Sequence, residues 1–62
     1  MPMSPKQIVK LLEDNGFREE RQNGSHKFFR NAKTGKTTTV PMHMKDLKIG
    51  TQQKILKDAG LK

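Results

Sequence analysis

Phe17-Arg18-Glu19-Glu20-Arg21-Gln22-Asn23-Gly24-Ser25-His26-Lys27-Phe28-Phe29-Arg30-Asn31 is the stretch whose reading decides the fold. Two extended runs flank Asn23-Gly24, the strongest short hairpin signal, because both residues tolerate positive φ. Residues 17–21 read as an edge strand whose charges keep it from pairing with other chains. Residues 25–31 read as its antiparallel partner. Phe28 and Phe29 are neighbours on that strand, so their side chains point to opposite faces. If Phe29 enters the core, His26, Phe28 and Arg30 share the other face. The reverse choice would place His26 and Arg30 beside the core at a larger desolvation cost. The first arrangement is therefore expected.

Downstream, Thr34-Gly35 turns the chain again, and residues 36–40 form a β-branched third strand stopped by Pro41. Upstream, Ser4-Pro5-Lys6-Gln7 reads as a helix start. Ser4 can cap, Pro5 suits the first helical position because its missing N–H would be unpaired there anyway, and Gln7 completes a capping box. Ile8, Val9, Leu11 and Leu12 make an apolar stripe. Gly16 supplies a left-handed stop and Phe17 closes back onto Leu12, which gives a helix over 5–15. A last helix is expected over 51–59, with Ile55, Leu56 and Ala59 on its inner side, Leu47 and Ile49 packing its entrance, and Gly60 as its stop. The prediction is one α+β domain over 1–62, α-β-β-β-α, a three-stranded antiparallel sheet with both helices on one face. The other face is left to solvent or a ligand.

Size and composition bound what such a domain can do. With 62 residues and no cysteine, no second domain, disulfide, thiolate zinc site or cysteine nucleophile is expected. Leu, Ile, Val and Phe supply 13 residues, so the core should yield only about 3–5 kcal/mol of net stability. The net charge is +7, which recruits polyanions. Residues 21–48 carry seven cations (Arg21, Lys27, Arg30, Lys33, Lys36, Lys45 and Lys48) against Asp46 alone, a local net of +6. Concentration in one segment favours a binding surface over a merely solvated one. No run approaches a membrane span and Met1-Pro2-Met3-Ser4-Pro5-Lys6 lacks a secretory pattern, so a cytoplasmic protein with no membrane partner is expected.

The same middle segment carries the candidate chemistry. Histidine titrates nearest to neutral pH, so His26 could take the proton of an RNA 2′-hydroxyl while neighbouring cations stabilise the phosphoryl charge. DNA lacks that hydroxyl. Phe28 could stack a base and Arg30 bind phosphate; Gly24, Ser25, Lys27, Lys36 and His43 complete the expected RNA contacts. His43 could touch phosphate, act as a second acid/base group, or simply order its loop. Two histidines without cysteine make a poor zinc set. Gly35-Lys36-Thr37 resembles the end of a phosphate-binding loop, but Arg30 stands where its first glycine would be. No metal and no cofactor is therefore expected. The four methionines read as gap filler or interface.

Taken together, the chain resembles the HicA family of toxins over essentially its whole length. The resemblance rests on Asn15-Gly16-Phe17, Gly24-Ser25-His26 with Phe29, Thr39-Val40-Pro41-Met42-His43, Lys48-Ile49-Gly50-Thr51 and Ile55-Leu56-Lys57-Asp58-Ala59-Gly60-Leu61. It implies a fold like a double-stranded RNA-binding domain, metal-independent cleavage of mRNA, no direct sequence-specific DNA binding, and inhibition by a HicB-type antitoxin. The family's catalytic histidine follows Gly-Ser, which maps the role onto His26. Many relatives carry a second histidine directly after it; here that residue is Lys27. The proton donor for the leaving oxygen is then left between His43 and Lys27.

Overall fold

The computed structural model describes residues 3–43 and 45–61. Met1 and Met44, two of the four methionines, lie outside them. The order is α1 (Pro5–Asp14), β1 (Phe17–Asn23), β2 (His26–Asn31), β3 (Thr37–Pro41) and α2 (Ile49–Asp58). The strands form one antiparallel sheet in the order β1-β2-β3, so the α-β-β-β-α arrangement is as expected.

Helix α1 begins as its sequence dictates. The Gln7 backbone N–H donates to Ser4 Oγ at 3.2 Å, and the Ser4 N–H donates to Gln7 Oε1 at 2.9 Å, so both halves of the capping box are made. Ser4→Ala removes an acceptor from the helix start and should cost about 0.5–2 kcal/mol. Thermal unfolding would register that as a fall in Tm of roughly 4–8 °C per kcal/mol for a domain this small. Gly16 ends the helix with φ 91°. A side chain there would be strained by that angle and would press on Asn31 Nδ2 at 3.3 Å. Asn31 is buried because it braces two connections. Its Nδ2 donates to the Asn15 carbonyl at 3.1 Å, and its Oδ1 accepts from the N–H groups of Lys33 and Thr34 at 2.9 and 3.2 Å.

One core cluster joins every element: Ile8 and Leu12 of α1, Phe17, Phe29 and Val40 of the sheet, Leu47, Ile55 of α2, and Ala59. All its sheet members lie on one face, so both helices cover that face. Thr38 is buried with them and donates its hydroxyl to the Ile55 carbonyl at 3.2 Å, fastening β3 to α2. Phe29 is therefore the inward phenylalanine, and Phe28 lies on the opposite face.

Several boundaries differ from expectation: α1 ends at Asp14 and α2 at Asp58, and β2 and β3 each begin one residue late, at His26 and Thr37. Strand β1 runs on to Asn23, which pairs with His26. The turn is consequently Gly24-Ser25 rather than Asn23-Gly24. Only Gly24 takes positive φ, 61°, as in a two-residue turn whose first central residue alone needs it. Strand β3 extends to Pro41, opposite His26, which an outer strand tolerates. Helix α2 starts at Ile49, two residues early, without a side-chain cap. Ile49 is 51% exposed, so it does not pack the entrance. Leu47 does that alone, anchored through its N–H to the Met3 carbonyl at 2.8 Å.

Candidate RNA-facing site

The open face of the sheet is set by the β2 register. His26, Phe28 and Arg30 alternate with Lys27, Phe29 and Asn31, and the latter set faces the helices. Successive members of the open set stand about 7 Å apart along the strand, comparable to the step of an extended nucleotide chain. Across from them on β3 lie Pro41, Thr39 and Thr37.

Strand β1 contributes through an irregularity. Its register shifts between Glu19 and Arg21: Glu19 pairs with Phe29, but Arg21 pairs with Phe28. Strict alternation would send Arg21 to the helix side with Phe17 and Glu19. The extra residue at Glu20 turns it to the open face instead. There the Arg21 guanidinium sits over the Phe28 ring, 4.7 Å from its centroid, a cation–π contact. Arg18 faces Arg30 on the same side, and Arg30 Nη1 lies 3.8 Å from Glu20 Oε2. The face thus offers an aromatic ring under a flat cation, with two more arginines beyond it.

His26 stands at the other end of this row, exposed. The antiparallel pairing that sets Pro41 opposite His26 carries the following residues over the hairpin tip. The Met42 N–H donates to the Ser25 carbonyl at 2.6 Å. His43 then comes to lie beside His26, with ring centroids 5.8 Å apart and planes inclined by 61°. Its Nδ1 is 3.1 Å from Ser25 Oγ. Ser25 therefore holds the loop by its carbonyl and the imidazole by its hydroxyl.

Not every sequence-predicted residue joins them. Lys27 is half-buried on the helix side, where its Nζ lies 3.3 Å from Glu19 Oε1. Lys36 follows β2 at the far end, about 17 Å along the strand from His26, and its stem lies against Gly60. Gly24 shapes the turn beside His26. Sequence reading missed Arg21, because the bulge that redirects it leaves no mark beyond a charge standing at an inward position. It also did not bring the histidines together, although pairing 25–31 with 36–40 around Thr34-Gly35 places position 43 near position 26.

A groove of about 440 Å³ lies near Arg18, Arg30, Asn31 and Lys33, away from both histidines. Both histidine side chains are exposed. Among the described residues no three His, Asp or Glu side chains converge as a metal set, and no helix is long and apolar enough to cross a membrane.

No curated protein matches the chain. The family described as the HicA toxin of bacterial toxin–antitoxin systems matches it over residues 5–61 of its 62. That span takes in all five elements and both histidines, so the protein belongs to the HicA toxin family, and membership implies a cognate antitoxin.

Proposed function

We propose that this chain is an endoribonuclease that cuts mRNA on the open sheet face and so blocks translation in the cytoplasm, until a HicB-type antitoxin neutralises it. The observation that carries this reading is the exposed His26 at the end of a row holding Phe28, Arg21 and Arg30. A base stacks on the Phe28–Arg21 platform, since aromatic rings and guanidinium planes both accept bases. The backbone phosphates follow Arg30 and Arg18. The scissile nucleotide then lies at the hairpin tip, against Gly24, Ser25, His26 and His43. Lys36 has its stem against Gly60 beyond α2 and Lys27 is turned to the helices, so neither is given a place on the RNA path.

His26 acts as general base. It takes the 2′-hydroxyl proton, the 2′-oxygen attacks the adjacent phosphorus, and the bond from phosphorus to the 5′-oxygen breaks. The products are a 2′,3′-cyclic phosphate and a 5′-hydroxyl end, with no water or metal consumed in the step. A positioned base contributes roughly 10²–10⁴ in rate.

The test is to incubate the purified chain with an end-labelled RNA in the presence of a chelator and to identify the product ends. Cyclic phosphate and 5′-hydroxyl ends are expected, and a single 2′-deoxy substitution at the cut site should abolish cleavage there. RNA that is retarded but never shortened would make the protein an RNA-binding module on the same face. In either case Arg21→Ala and Arg30→Ala should each weaken RNA binding. Each lost phosphate contact should reduce the slope of log affinity against log salt by about 0.7, measurable by titration at several ionic strengths.

A further inference from the structure

We infer that His43 is the general acid of this reaction, oriented by Ser25, so that one phosphate is cut between two imidazoles. The inference rests on the ribonuclease reading and completes it. A base at the 2′-oxygen starts the displacement, but the departing 5′-oxygen leaves as an alkoxide unless something protonates it. Arg30 stands on the same strand face about 13 Å from His26, and Lys27 points to the other face, paired with Glu19. His43 is exposed and adjacent.

Its geometry suits the task in two respects. First, the two rings are 5.8 Å apart and inclined by 61°, neither stacked nor bonded to each other. Both can therefore address oxygens on opposite sides of one phosphorus, as an in-line displacement needs. Second, Nδ1 is engaged with Ser25 Oγ at 3.1 Å, which leaves Nε2 for the substrate. In the imidazolium form Nδ1–H donates to Oγ and Nε2–H faces the leaving oxygen. As the bond from phosphorus to that oxygen breaks, the Nε2 proton passes to it. His26 has meanwhile gained the 2′-hydroxyl proton, so protons balance across the pair.

Ser25 is a positioning residue rather than a catalytic one. Its carbonyl accepts the Met42 N–H and its hydroxyl meets His43, so one residue of the turn fixes both the loop and the ring.

The deciding experiment compares ordinary RNA with RNA whose bridging 5′-oxygen at the cut site is sulfur, because a thiolate leaves without a proton. His43→Ala should cut ordinary RNA about 10²–10⁴-fold more slowly than wild type but the sulfur-bridged RNA within about tenfold of it. His26→Ala should be slow on both. Ser25→Ala should lose about tenfold on ordinary RNA, a single hydrogen bond's worth. That loss should vanish on the sulfur substrate and with Ser25→Thr. Circular dichroism and RNA affinity of His43→Ala and His43→Gln check that both variants are folded. If the sulfur substrate rescues His26→Ala instead, or if His43→Ala is equally slow or equally fast on both substrates, the assignment is overturned. A wild-type chain that cuts neither RNA would remove the ribonuclease reading itself, a separate and recognisable failure.

Discussion

His26→Ala is expected to lower the single-turnover cleavage rate of RNA by roughly 10²–10⁴-fold while leaving RNA affinity and thermal stability near those of wild type. The reason is positional. His26 is exposed on the open face, outside the core, so removing its ring opens no cavity. The stacking platform of Phe28 and Arg21 lies one open-face step further along the strand, so the substrate keeps its grip. The contrast is Phe28→Ala, which should raise KM through the loss of a stacking contact of about 1–3 kcal/mol and change kcat little. Binding lost equally from ground and transition states appears in KM alone. A His26→Ala chain that stays folded and still cuts RNA at the wild-type rate would remove His26 from the mechanism. Growth arrest on expression should follow the same pattern, with His26→Ala tolerated by cells that the wild-type chain halts.

The features that set the fold were legible because they are local. The Ser4-Pro5-Lys6-Gln7 start, the Gly16 stop and the alternation around Phe28 and Phe29 each act within a few residues, and each is found where its chemistry requires it. The hairpin turn moved by one residue because the pairing of Asn23 with His26 outweighs the turn preference of Asn23. Ile49 departs from expectation for a related reason: an apolar residue at a helix entrance faces inward only if its angle on the helix allows, and here Leu47 is buried while Ile49 is exposed. The site was half legible. His26, Phe28 and Arg30 share a face by two-residue periodicity alone. Arg21 was hidden by a bulge, a two-strand feature. The meeting of His26 and His43 depends on the β2–β3 register and on the backbone bond from Met42 to Ser25, neither of which any single segment encodes.

Phe29→Ala is expected to unfold the isolated chain, the largest stability effect of any single substitution considered. Phe29 is 1% exposed and belongs to the same cluster as Ile8, Leu12, Phe17, Val40 and Ile55. Truncating such a ring costs about 3–5 kcal/mol in lost burial and residual cavity, as much as the about 3–5 kcal/mol a domain of this size supplies. The next residue in sequence provides the control, since Phe28 points to the open face and its removal empties no interior volume. Urea titration followed by circular dichroism should show a cooperative transition for wild type and Phe28→Ala, and none for Phe29→Ala. Equal midpoints for all three would overturn the assignment of faces on which the site depends. The thin margin also bears on how a toxin of this kind is carried. A partner that binds only the folded chain adds about 2.7 kcal/mol when present at a hundred times its Kd, a large fraction of the domain's own stability. Such a partner should therefore restore much of the signal of Phe29→Ala, whereas it cannot restore cleavage to His26→Ala. Stability and chemistry are separable here because adjacent side chains on one strand serve opposite faces of the same sheet.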